Sequence, residues 1–151
     1  MERERGFTLI ELMIALVIAA ILLAAGIPSF KTIMANNRIS AATNEISIAL
    51  NLARSEAIKR GAQVDVTQAS GGWSKGITVE LSDGTDLRVL AGSAGSINIT
   101  GSVTKISYYS TGLASTTATF SICDDDRTGE TGRQITVTAT GRISLSNKTC
   151  S

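Results

Sequence analysis

Residues 12–30 read LMIALVIAAILLAAGIPSF and carry no charge. At about 1.5 Å per residue, a helix of this run reaches about 28 Å, close to the thickness of a bilayer core. A secretory signal peptide has a shorter apolar region closed by an A-x-A-like site. Here the chain instead continues in a helical pattern, so a retained span is expected, with a plain single-span anchor as the simplest version of it. Arg3 and Arg5 precede the run, flanked by Glu2 and Glu4. By the positive-inside rule these arginines keep the N-terminus cytoplasmic and place the larger C-terminal part across the membrane.

Past residue 30 the apolar positions fall into a period of 3.6. Phe30, Ile33, Met34, Ala42, Ile46, Ala49, Leu50, Ala53, Ala57 and Ile58 follow i+3/i+4 spacing. Lys59 and Arg60 suit the negative end of a helix dipole, and Gly61 is a ready C-terminal cap. One helix is therefore expected from about residue 7 to residue 60, roughly 80 Å long if straight. Its first half, 7–30, is the membrane-type segment, and 31–61 is the amphipathic half. Pro28 lacks an N–H and crowds the carbonyl of Ala24, so a kink is expected there.

After Gly61 the chain turns to Thr, Ser, Gly and Val in short alternations. Strands are expected at 63–67, 76–81, 87–90, 105–109, 117–123, 134–139 and 142–145. Glycine-rich turns separate them, and Asp83-Gly84-Thr85-Asp86 reads as a hairpin turn. A β-rich head of this size, 62–151, makes a small core, which the helix's apolar stripe would complete. The fold class is α+β: a long N-terminal helix packed on a β-rich head.

Composition narrows the chemistry. The chain has 151 residues, no His, two Cys and a net charge of +1. Without His there is no His-metal site, Ser-His-Asp triad or Cys-His dyad. Two cysteines cannot form a four-thiolate zinc site, and no C-x-x-C is present. No cofactor, metal or catalytic residue is indicated, and an anchor or assembly protein is favoured over an enzyme. Cys123 and Cys150 lie in the part expected to be exported, where an oxidising periplasm favours a disulfide over two buried thiols. The run Asp124-Asp125-Asp126-Arg127-Thr128-Gly129-Glu130 has oxygen ligands for Ca²⁺ but lacks the alternating spacing of a calcium loop, so a solvated loop is the better reading.

The sharpest feature is Gly6-Phe7-Thr8-Leu9-Ile10-Glu11 at the head of the apolar run. A carboxylate at the mouth of a membrane span is costly and by default functional. Cleavage after Gly6 would give Phe7 a new α-ammonium one turn from Glu11. The Glu11 carboxylate would neutralise that ammonium on its own chain or a neighbour's, and a mispaired helix would bury a lone charge. The alternative leaves Glu11 idle in the cytoplasmic headgroup region.

This motif, with the apolar run and Pro28 behind it, resembles the type IV pilins and type II secretion pseudopilins. The resemblance implies that a prepilin peptidase removes residues 1–6 between Gly6 and Phe7 and that Phe7 is N-methylated. It implies Glu11 as the assembly residue, long helices in a filament core and β-rich heads outside. Before assembly the chain would cross the inner membrane once, with its head periplasmic and its span in lipid. Its partners would be the peptidase, the inner-membrane assembly platform and other minor or major pilins or pseudopilins.

Leu52-Ala53-Arg54-Ser55-Glu56-Ala57-Ile58-Lys59-Arg60-Gly61, Trp73-x-x-Gly76, Phe120-x-x-Cys123 and Gly141-Arg142 further resemble the H-type minor pseudopilins and the FimT/FimU minor pilins. Some FimT-like pilins bind DNA through a C-terminal Gly-Arg-x-Arg. Here Gly141-Arg142-Ile143-Ser144 has Ser at the second Arg, although Arg133, Arg142 and Lys148 could contact phosphates. The expected role is a non-catalytic minor pilin in initiation or tip assembly of a type IV pilus. The alternatives are an H-type pseudopilin of a type II secretion system and a DNA-binding pilin for DNA uptake.

Overall fold

The computed structural model describes residues 7–150 except Thr128, with the backbone alone described at 25–29. The chain divides into two compact units, Met1–Asn36 and Asn37–Ser151. Helix α1, Leu9–Arg60, supplies the first unit and opens the second. Its start lies two residues later than the hydrophobic pattern predicts, because Thr8 and Glu11 form a capping box. Glu11 N–H donates to Thr8 Oγ1 at 3.3 Å, and Thr8 N–H donates back to Glu11 Oε2 at 3.0 Å. The helix ends as predicted at Gly61, whose φ of 65° lets the Ala62 N–H reach the Ala57 carbonyl at 3.3 Å. That 6→1 bond is the signature of a Schellman stop.

Residues 25–29, Pro28 among them, are helical, and residues 1–6, expected to be a removable leader, lie outside the described residues. Among the described residues no helix is long and apolar enough to cross a membrane. The uncharged run at 12–30 includes the five positions whose side chains are not described.

In the second unit, α1 buries Ile39, Ala42, Ile46, Ala49, Leu50, Ala53 and Ala57. This i, i+3, i+4, i+7 stripe matches the predicted one from Ala42 to Ala57. Phe30, Ile33, Met34 and Ile58, predicted as part of it, are exposed. Ile46 and Leu50, fully buried, contribute roughly 2–3 kcal/mol each by leaving water.

Two antiparallel sheets share the core with this helix face. The first comprises β1 Val64–Ala69, β2 Gly72–Leu81, β3 Asp86–Ala91 and β5 Lys105–Tyr108, in the order β3-β2-β1-β5. The second comprises β4 Ile97–Gly101, β6 Ala118–Asp124, β7 Thr131–Val137 and β8 Ile143–Thr149, in the order β4-β6-β7-β8. Alternation in β6 sends Ala118, Phe120 and Ile122 inward. Trp73 meets Phe120 edge to face, with centroids 4.8 Å apart, and its indole N–H donates to the Val103 carbonyl at 2.7 Å. Only glycine fits at position 101, because a Cβ on Gly101 would collide with that indole nitrogen.

Seven predicted strands correspond to observed ones with shifted ends, and β4 is an eighth. Only Ile97 and Ile99 of β4 face the core, and glycines flank it on both sides, so it reads as loop. β2 begins at Gly72, where the paired glycines suggest only a turn. β8 runs on to Thr149 through Ser146, Asn147 and Lys148. Backbone pairing to β7 holds this polar edge strand, from Thr131↔Thr149 to Val137↔Ile143.

Candidate functional site

The N-terminal site rests on Thr8, because its hydroxyl and N–H fix the Glu11 carboxylate before any partner does. Thr8 Oγ1 donates to Glu11 Oε2 at 2.9 Å, alongside the N–H bond at 3.0 Å. Both bonds fall on Oε2, so Oε1 takes no part in the cap. Phe7 precedes it, 87% exposed. Gly6, the other half of the predicted cleavage site, lies outside the described residues. From Leu9 to Leu23 every large apolar side chain of the helix is more than half exposed, Ile14 and Ile18 least at 53% and Leu9 most at 76%. A shaft of that character is stable only in lipid or against other apolar helices. The chemistry of the site is thus one carboxylate at the polar end of an uncovered apolar rod.

In the second unit, Cys123 and Cys150 are joined by a disulfide. Closing a loop with a separation of 27 residues is worth about 3–4 kcal/mol in the chain-entropy account. The bridge packs on Gly132 of β7, where a Cβ would collide with both Cys150 Sγ and the Ile122 carbonyl. This ties the end of the chain to the middle of the second sheet.

Asp124 heads the acidic loop and is buried. Its carboxylate accepts from the Ser96 hydroxyl, the Asp126 N–H at 3.2 Å and Arg127 Nε at 3.3 Å. Burial pushes this carboxyl up, but the hydrogen bonds and the Arg127 charge outweigh it and hold it below the usual range. Among the described residues no group of three potential ligands could hold a metal ion, and the loop is an ion-paired turn.

The three predicted phosphate-contacting cations do not form one stripe. Arg133 shares the inward parity of Ile135 and Val137 and lines a cleft of about 430 Å³ with Ser40, Thr43 and Asn44 of α1 and Leu145, Ser146 and Asn147. It donates to Asn147 Oδ1 on β8. Lys148 pairs with Gly132 and points to the opposite face. Arg142 shares that face but is six positions away, about 20 Å along the strand.

Arg54 has a role that the helix pattern does not reveal. Its Nε donates to the Gly112 carbonyl at 3.0 Å and its Nη2 to the Thr140 carbonyl at 3.3 Å. It therefore links α1 to the turn after β5 and to the turn before β8. Those turns touch so closely that a Cβ at Gly141 would collide with the Gly112 carbonyl. The outer face of the first sheet carries a second ionic contact, Lys105 Nζ to the buried Asp65 Oδ2 at 2.5 Å. The signal for Thr8 was readable, since Thr-x-x-Glu before an apolar run is the sequence form of a capping box.

A capped apolar rod headed by a carboxylate, with its C-terminal half packed on two antiparallel sheets, defines the type IV pilin class. Two crystal forms of the type IV minor pilin FimU of Pseudomonas aeruginosa share the fold. One matches with a TM-score of 0.65 at 26% identity, over 74% of this chain and 90% of that one. The other matches with a TM-score of 0.61 at 26% identity, over 71% and 91%. Two fimbrial proteins of Pseudomonas aeruginosa are 41% identical over 64 residues, 42% of this chain and 41% of their own length. Residues 1–27 match the prokaryotic N-terminal methylation motif, and residues 42–141 match the family described as type II transport protein GspH. The chain belongs to the GspH family of pilins and minor pseudopilins, whose members are structural proteins.

Proposed function

We propose that this protein is a minor pilin that takes part in initiating or tipping a type IV pilus, acting by assembly and not by catalysis. The observation that carries the reading is the uncovered apolar rod with Glu11 at its head. Cleavage between Gly6 and Phe7 would place an α-ammonium, subsequently methylated, beside that carboxylate. Before assembly the rod would sit in the inner membrane, N-terminus cytoplasmic and head periplasmic. Its handover from lipid to a bundle of other pilins, through the assembly platform, would bury Glu11, which must then meet a cation. The prepilin peptidase, other pilins and the platform are the partners this chemistry needs.

An H-type pseudopilin of a type II secretion system is the second reading, and the family match at residues 42–141 favours it. The FimU structures, most of whose length this chain covers, favour the pilus. Deleting the gene and scoring piliation beside secretion separates the two. The DNA-binding alternative finds less support, because Arg133 and Lys148 point to opposite faces of the second sheet. Replacing Glu11 by alanine tests the assembly role: the Glu11→Ala protein should reach the membrane with a folded head and fail to enter filaments. Normal incorporation of that variant would refute it.

A further inference from the structure

The two sheets end in β3 and β5 on one side of the core and in β4 and β8 on the other. An edge strand leaves a row of N–H and C=O groups unpaired, and natural sheets cover or interrupt that row. β5 is covered: the Ser107 carbonyl accepts from the Ser115 N–H at 2.8 Å, and the Ser107 N–H donates to the Ser115 hydroxyl at 3.1 Å. β4 is covered by β2, whose Ser74 hydroxyl accepts from the Ile99 N–H at 2.6 Å. β3 is interrupted by a register shift at Val79 and Glu80 of its partner strand and carries Asp86 and Arg88. β8 has none of these protections. It runs seven residues in unbroken register with β7 and contains no proline. Its one charge, Lys148, lies on the face opposite Arg133.

The pairing fixes which groups of β8 are free. Thr138 N–H donates to the Arg142 carbonyl and Cys150 N–H to the Glu130 carbonyl, both at 3.0 Å. In the same register the even-numbered residues of β8 therefore turn their backbone groups to β7. Ile143, Leu145, Asn147 and Thr149 turn theirs outward, where no described residue meets them. The side chains of Ile143, Leu145 and Asn147 share the face of Arg133, which lines the cleft beside α1. Leu145 is 55% exposed there, and Ser40 and Asn44 face it from α1. Arg133 reaches across to Asn147 Oδ1 and is the single charge among the residues lining the cleft.

We propose that an extended, acidic segment of a different polypeptide adds to β8 as a fifth strand of the second sheet. Running antiparallel, it exchanges backbone hydrogen bonds with Ile143, Leu145 and Asn147, and its alternate side chains enter the cleft. A carboxylate opposite Asn147 meets the Arg133 guanidinium, and an aliphatic side chain opposite Leu145 covers that exposed surface. A second copy of this chain is a poor occupant. Neither β7 nor β8 contains an acid, so joining two β8 edges brings together only the like charges of Arg133 and Lys148. Charge complementarity thus selects a foreign acidic strand. The site lies within Asn37–Ser151 and stands apart from the Glu11 chemistry.

The test uses the full chain in micelles of a neutral detergent and the fluorescein-labelled peptide Ser-Glu-Ser-Val-Ser-Val-Ser, read by fluorescence anisotropy. In the antiparallel register its glutamate lies opposite Asn147 and its valines opposite Leu145 and Ile143, with the N–H groups of all three aimed at β8. Saturable binding is expected, about tenfold weaker when lysine replaces the glutamate. Methylating the backbone nitrogens of the two valines should abolish binding, whereas methylating those of the two central serines, which face away from β8, should spare it. Arg133→Glu should reverse the preference between the glutamate and lysine peptides. Leu145→Pro removes an outward N–H that β7 does not use, so the protein should fold and lose the peptide. No saturable binding, or equal binding of the two methylated peptides, overturns the added strand, and the peptide variants give that answer whether or not Leu145→Pro folds. Displacement by free glutamate alone would make the cleft a small-carboxylate site and overturn it too. A concentration-dependent dimer that Leu145→Pro abolishes would give the edge to a second copy and overturn the foreign segment. The Glu11→Ala protein should bind the peptide as the parent does, so failure of assembly and failure of this site are read separately.

Discussion

Replacing Arg54 by methionine should lower the melting temperature of the second unit by about 10 °C. Methionine keeps the unbranched stem along α1 and removes the guanidinium, so the change isolates the two hydrogen bonds to Gly112 and Thr140. A bond from a charged donor is worth about 1.5–3 kcal/mol when its acceptor is left without a substitute. Thr140 is exposed, and water replaces its bond at little cost. The Gly112 carbonyl faces the backbone at Gly141 so closely that even a Cβ there would collide with it, which leaves little room for a water. The loss therefore falls mainly on Gly112, and about 2–3 kcal/mol in all is expected. For a unit of this size each kcal/mol moves the midpoint by roughly 4 °C. The assay is a thermal melt followed by fluorescence of Trp73, the single tryptophan, which sits in the shared core. Arg54→Lys keeps the charge but cannot span both carbonyls, so it should recover less than half of the loss. A methionine variant melting within about 2 °C of the parent would show that the two turns hold each other without the arginine.

Tyr108 is fully buried, and its hydroxyl has no hydrogen-bond partner among the described residues. Burial pushes its pKa from 10.0 up to about 12, against a smaller opposing pull from Arg54. A raised pKa favours the neutral form in the folded state, so the stabilisation is complete below pH 10 and is lost as pH rises to about 12. The alkaline loss should reach about 2–3 kcal/mol in pH-dependent denaturation, and Tyr108→Phe should flatten that limb. Gly132→Ala should destabilise by about 2–3 kcal/mol, because its Cβ meets both a disulfide sulfur and a backbone carbonyl. A variant melting like the parent would contradict that packing. Asp65 is depressed because its bonds to Lys105, Ser107 and Gln63 outweigh the upward push of burial. Its stabilisation should be present above the unfolded carboxylate range and lost as pH falls through the depressed folded value, a limb that acid titration of Asp65→Asn would lack.

The elements legible in the sequence are those whose burial is periodic. The α1 stripe from Ala42 to Ala57 shows in the spacing because one helix face meets both sheets. β6 shows because Ala118, Phe120 and Ile122 alternate with outward residues. β4 and the second half of β8 do not show, since backbone pairing holds them and backbone pairing leaves no hydrophobic pattern. Ile58 fits the helical period yet is exposed, because the Tyr109–Leu113 turn covers only its tip. The Arg54 clamp joins residues 58 and 86 positions apart, and no local pattern encodes such a contact. Glu11 is legible as an exceptional charge, but charge alone points to a cationic partner and passes over its bond to Thr8.

That bond offers a way to separate two jobs of one side chain. As the acceptor of a capping box, Glu11 stabilises the start of α1 through Thr8, and glutamine serves nearly as well in that position. As the counter-charge of an α-ammonium in an apolar bundle, it must be ionised, and glutamine cannot serve. Glu11→Gln should therefore keep the helix start while losing filament incorporation as fully as Glu11→Ala. Thr8→Val removes the hydroxyl of the cap and leaves the carboxylate charged, at a cost of about 1 kcal/mol to the helix end. It should therefore retain most incorporation. Amide exchange at position 11, whose N–H donates to the Thr8 hydroxyl, reports the cap, and immunoblots of sheared filaments report assembly. If Glu11→Gln assembles normally while Thr8→Val does not, the carboxylate serves the helix start alone and the proposed pairing with Phe7 is wrong.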